Sequence, residues 1–148
     1  MWNEFLNIAI DKTQDADLKE KLQAMIPLVR KIEEYEKSFI KRINESKAGR
    51  GEGVTPLSEN EKEQISEYDR DAIRMTEEIC NSLQQLNSVR DIIRLLRSSL
   101  ISEINNRKAQ LKYYHPAERN IGEEGIMLYR DLLKCFDDIL AYTREIKS

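Results

Sequence analysis

One histidine, His115, and two cysteines, Cys80 and Cys135, are all that 148 residues offer of the side chains that most often bind metals or attack substrates. A single histidine beside Pro116, with no Cys or Asp partner nearby, makes neither a zinc site nor a catalytic triad. The cysteines lie far apart, form no CxxC and fall within helical patterns, so they read as reduced, buried thiols. A nucleophilic cysteine would need a histidine base that this chain can scarcely supply. The Glu-x-x-His pairing of di-iron bundles is missing. Adjacent acids such as Glu77–Glu78 and Asp137–Asp138 point two ways from a helix and read as solvated faces. Aromatic residues make up only 7% of the chain, and none form a stacking platform for bases. No stretch approaches the ~18 apolar residues of a membrane span. The opening MWNEFLNIAI carries Glu4 and no basic leader, which predicts a short amphipathic helix rather than a signal peptide. These absences predict a cytoplasmic, non-enzymatic protein with no metal and no cofactor.

What is present points to helices. The chain is 40% hydrophobic and 34% charged with only five glycines, a composition that suits a single helical domain over 1–148. A domain of that size buries roughly 68–70% of its unfolded surface. A net charge of -3 and a pI near 5.4 give no general drive toward nucleic acid.

Leu18, Leu22, Met25, Val29, Ile32, Phe39 and Ile43 recur at helical spacing, joined by Tyr35. Pro27 interrupts that pattern and favours a helix start, which predicts short helices within 2–25 and a longer helix over 27–46. ESKAGRGEGVTPL reads as a connector over 46–57. Its GxGxG run has neither a preceding strand nor a following GK[ST], so phosphate binding is not expected. Ser58 and Glu61 form a capping box, a cap worth about 1 kcal/mol. From Glu59 to Lys112 there is no Gly or Pro, and Ile65, Tyr68, Ala72, Met75, Ile79, Leu83, Leu86, Val89, Ile93, Leu96, Leu100 and Ile104 hold spacings of three or four. That register predicts one long helix over 58–112, with the polar LNS at 86–88 as the only candidate break. Pro116, Asn120 and Gly122 mark a loop over 113–122, and Ile126, Tyr129, Leu133, Phe136 and Leu140 a final helix over 123–147. The expected fold is an all-α antiparallel bundle built on one long central helix. An apolar stripe from Ile65 to Ile104 exceeds what one compact chain should cover, which predicts a homo- or hetero-oligomer.

The sharpest local feature is the row Arg90, Arg94 and Arg97. At 100° per residue the three lie within about 60° of one another, about a quarter turn from the apolar row Val89, Ile93, Leu96, Leu100 and Ile104. Ser98, Ser99 and Ser102 cover the back. The favoured reading is an intramolecular face whose stems cover apolar surface and whose heads pair with acids on neighbouring helices. A protein-partner interface is the second reading. DNA contact is the third: residues 87–112 hold six Lys or Arg against two acids, without aromatic interleaving.

Two stretches, SVRDIIRLLRSSLISEI and NIGEEGIMLYRDLLKCFDDIL, resemble the helical domain of archaeal GINS subunits of the Sld-five and Psf-one kind. Arg90, Arg94 and Arg97 lie where that family has its basic helix, and Asn120, Ile121, Glu123, Glu124 and Tyr129 match its second element. Gly122 stands where the family usually has a Ser or Thr cap, and Gly125 is unusual in a helix. The N-terminal part lacks the family's usual start, and the family's small β-rich second domain is not among these residues. The resemblance implies a DNA-replication scaffold that assembles with itself or paralogous subunits and links an MCM helicase to a RecJ-like protein. Its expected partner-facing residues are Arg90, Arg94 and Arg97, with Ile126, Tyr129 and Leu133 of the last helix. Two alternatives come from other classes: an export chaperone that holds a client through its C-terminal amphipathic helix, and a nucleic-acid-binding adaptor.

Overall fold

The computed structural model describes residues 1–51 and 59–145. Its elements are α1 (Trp2–Lys12), α2 (Ala16–Gln23), α3 (Ile26–Gly49), α4 (Glu59–Gln85), α5 (Val89–Gln110) and α6 (Pro116–Glu145), with a 3-10 turn at Leu111–Tyr113. The chain is the expected all-α bundle, and the described residues contain no strand. No helix among them is long and apolar enough to cross a membrane.

Local chemistry sets the N-terminal corners. The Thr13 hydroxyl donates back to the Ala9 carbonyl at 2.6 Å, and Asp15 caps α2 by accepting the Leu18 N–H at 2.8 Å. Pro27 sits in the first turn of α3, where its missing N–H costs nothing. The chain turns at Gly51, whose φ of 79° suits a residue without a Cβ. The Ser58 cap falls outside the described residues.

The expected single helix over 58–112 is in fact two. α4 ends at Gln85, α5 begins at Val89, and Leu86, Asn87 and Ser88 make a corner. Lys12, at the end of α1, closes that corner. Its ammonium donates to the Leu86 carbonyl at 2.8 Å and also to the Gln84 carbonyl, satisfying groups that a helix end leaves orphaned. Apolar spacing could not reveal the corner, because Leu83 before it and Ile92 and Ile93 after it are all fully buried. A straight rod of ~50 residues would run about 75 Å and carry half of its stripe off the core.

The last helix starts at Pro116, not at 123, and the expected loop over 113–122 shrinks to Tyr114 and His115 beyond the 3-10 turn. His115 caps it: Nδ1 accepts the Ala117 N–H at 3.0 Å and the His115 carbonyl accepts the Glu118 N–H at 2.9 Å. Pro116 therefore opens α6 as a first-turn proline. This start places Gly122 and Gly125 inside the helix, where each costs about 1 kcal/mol relative to Ala. Close packing accounts for both. A Cβ on Gly125 would lie 2.5 Å from Tyr35 Oη, and one on Gly122 would lie 2.8 Å from Leu111 Cδ2. The approach lets the Tyr35 hydroxyl donate to the Ile121 carbonyl at 2.7 Å, and burial pushes that phenol up to about 12.

α6 packs against α5, α3 and α2, while α1 touches α2, α3, α4 and α5. Between them Phe5, Leu22, Ile32, Ile93, Leu96, Leu100, Leu132 and Phe136 are buried to 2% exposure or less, each such burial contributing about 1.5–3 kcal/mol. Trp2 joins the α1 and α6 sides of this core, with ring centroids 5.5 Å from Phe5 and 6.2 Å from Phe136.

Candidate interaction groove

Among the described residues α1 is the main neighbour of α4, and Ile79, Cys80 and Leu83 in the C-terminal half of α4 join the packed core. Leu83 is fully buried and Ile79 half-buried, yet Ile73 and Met75 are 60% and 61% exposed. The apolar row Ala72, Met75 and Ile79 thus overhangs the core. Beneath it lies a groove of about 770 Å³ with Trp2, Phe5 and Ile32 at its base, Met75 and Ile79 on one wall, and Ser99 and Ser102 of α5 on the other. The small-residue back of α5 is what leaves the space open. Trp2 is 4% exposed and its indole N–H has no acceptor among the described residues, a cost of about 1–3 kcal/mol for a buried donor.

Arg107 marks one end of the groove. It donates from Nε to Glu103 at 2.8 Å and from a terminal nitrogen to Glu36 at 2.5 Å. Its guanidinium also lies 4.5 Å from the Tyr129 ring centroid. The Tyr129 hydroxyl donates to Glu36 at 2.6 Å, tying α3, α5 and α6 together. Burial lowers the Arg107 pKa, but Tyr129, Glu36 and Glu103 more than offset it and hold the guanidinium charged. Burial likewise raises the Tyr129 phenol, against the pull of Arg107, so it stays a donor.

The arginine row does not act as a unit. Arg97 reaches α6, donating from Nε to Asp137 at 2.5 Å, the intramolecular arrangement favoured from the sequence. Arg94 is exposed, and among the described residues its one ion pair is with Asp91 of its own helix, 3.9 Å away. Arg90 borders a separate hollow beside Lys12 and Asn87, and its Nε is buried without a partner. On α6 the expectation of an outward-facing set needs correction: Ile126 and Tyr129 are 5% and 2% exposed and Leu133 is half-buried. They serve the chain's own core because α6 is enclosed by α2, α3 and α5.

Neither thiol is poised to react. Burial, then the Glu4 carboxylate, pushes Cys80 up; burial, then Asp138, does the same to Cys135. His115 Nδ1 is engaged as a helix cap. Among the described residues no three His, Cys, Asp or Glu side chains are grouped to hold a metal ion. Sequence reasoning missed the Glu36–Arg107–Tyr129 network and the groove. The excess apolar stripe was the available signal for the groove, but it gave no indication of which half would stay open. In comparisons with known proteins, no family model, curated protein or solved structure matches the chain.

Proposed function

We propose that this protein is a non-enzymatic helical interaction module that receives a partner in the groove beneath α4. The observation that carries the reading is the change along one helix face, from fully buried Leu83 to 61% exposed Met75, above a base of apolar side chains. Helix-in-groove recognition uses such a surface, with anchors from one face of the incoming helix. Raised thiol pKa values and a histidine engaged as a cap support the absence of catalysis, and two free cysteines accord with a reducing, cytoplasmic setting. Assembly into an oligomer belongs to the same proposal, with α4 rather than α6 as its surface.

The narrower form is a subunit of a GINS-type replication scaffold that joins an MCM helicase to a RecJ-like protein. It draws on the two sequence motifs alone. The DNA-adaptor alternative is weakened by the pairing of Arg97 with Asp137.

A photo-crosslinking residue at position 75, in cells producing the full chain, tests the reading against the same residue at Arg130 on the exposed side of α6. A discrete adduct from 75 and none from 130 is expected, and a helicase or RecJ-like protein in it would support the narrower form. Failure of 75 to give any adduct that 130 does not give would refute the groove.

A further inference from the structure

We propose that a basic hollow at the seam of α5 and α6 is a second docking point, and that its occupant is an acidic segment of another protein. The hollow holds about 520 Å³ and is lined by Arg94 and Arg97 of α5 and by Asp137, Leu140, Ala141 and Arg144 of α6. It shares no lining residue with the groove beneath α4, so the two surfaces stand or fall separately. Three arginines against one aspartate leave an excess of two positive charges in the lining. The chain does not restore the balance. Arg97 gives Nε to Asp137 at 2.5 Å, which engages the single acid and holds Arg97 in place. Arg94 has Asp91 at 3.9 Å, outside hydrogen-bond reach. Arg144, exposed in the last turn of α6, makes no hydrogen bond or ion pair among the described residues. The seam therefore presents two exposed guanidinium forks beside a third that is already oriented.

The extent of the positive surface selects the class of anion. Asp131 and Asp138 stand exposed on the same helix, and the whole chain carries a net charge of -3. A nucleic-acid duplex, with one charge for about every 1.7 Å of its length, would run past three arginines into those acids. The hollow also has no aromatic ring on which a base could stack. Leu140 and Ala141 give it an apolar component that a phosphate backbone cannot use and a peptide can. Carboxylates on one face of a short peptide match guanidinium forks bidentately, and arginine is enriched where proteins meet.

The test titrates the full chain into three fluorescently labelled probes at low and high salt: a Glu- and Leu-rich helical peptide, the same peptide with Lys for Glu, and a mixed-sequence DNA duplex. The Glu peptide should bind, weaken as salt rises, and lose about tenfold or more in affinity in Arg94→Glu/Arg144→Glu. Both positions are exposed, and Arg94→Gln/Arg144→Gln, which removes charge without reversing it, should lose less. Arg30→Glu/Lys31→Glu, an equal change of charge at exposed positions on α3, should leave most of the binding intact. Tighter binding of the Lys peptide, or an equal loss in the α3 variant, would overturn the assignment of the hollow. A duplex that binds as well as the Glu peptide and depends equally on Arg94 and Arg144 would name nucleic acid as the occupant and overturn the inference. Self-association of the chain that Arg94→Glu/Arg144→Glu abolishes would name a second copy and overturn it too. Binding of none of the probes would remove the hollow as a docking point and leave the groove beneath α4 untouched.

Discussion

The two halves of one apolar stripe have opposite fates. From Ile93 to Ile104 on α5 the stripe is buried to 5% exposure or less, against α6 and α1. On α4 the same residue types at the same spacing include Met75 at 61% exposure above an open groove. Spacing is equal in the two halves, so spacing cannot be what decides burial. Neighbours decide it. α5 faces the two helices that enclose the core, whereas α4 leaves the corner at 86–88 with α1 alone as its main support. An amphipathic face therefore states a requirement for cover, and the tertiary arrangement determines whether the chain or a partner provides it.

Substitution sharpens the contrast. Leu100→Ala, at a fully buried position on α5, should cost about 2–5 kcal/mol in chemical denaturation. Met75→Ala on α4 should stay within about 0.5 kcal/mol. Comparable losses at the two sites would mean that α4 is covered in solution and would break the comparison.

Close approach on the enclosed side makes the next effect. Gly125→Ala improves helix propensity by about 1 kcal/mol, yet its methyl would meet Tyr35 Oη at 2.5 Å. A net destabilisation of about 1–3 kcal/mol is expected from the displaced ring, visible as a lowered melting temperature. Increased stability would show that α3 and α6 are not in such contact.

Alkaline pH probes the same seam. Tyr35 is raised to about 12 in the folded chain by burial, and Tyr129 is raised in the same direction. A phenol raised on folding keeps its proton longer in the native state. Its stabilising contribution is complete below the unfolded value near 10 and is lost as pH climbs toward the folded value. Denaturation midpoints should hold steady from pH 8 to 9.5 and fall between about 10 and 12, less steeply in Tyr35→Phe. The smallest effects belong to the arginine row. Arg97→Ala removes a half-exposed pair with Asp137 and should cost about 0.2–1 kcal/mol, reduced by salt, while Arg94→Ala should change stability by less.

The sequence was legible where local chemistry dominates. Helical class, the Pro27 start and the burial of Leu96, Leu100 and Ile104 all follow from spacing and caps. The corner at 86–88 was visible only as a polar tripeptide, because the side chain that closes it, Lys12, comes from 74 residues away. The early start of α6 was hidden because Pro116 reads equally as the end of one helix and the first turn of the next. Gly122 reads as the restart of a helix and Gly125 as an unusual helix residue, because the side chains that pack against them, Leu111 and Tyr35, come from other elements. Ile126 and Tyr129 were assigned to a partner because an amphipathic stripe does not say what covers it. The Arg97–Asp137 pair spans 40 residues, yet the preference for an intramolecular face anticipated its kind.

Amide hydrogen exchange of the isolated chain, resolved along α4 and α5, addresses the contrast between the halves most directly. Amides over 93–104 should exchange only through global unfolding, while those over 71–79 should exchange through a local opening of lower free energy. Equal protection of the two segments in the free chain would contradict an open α4 face and, with it, a groove that awaits a partner.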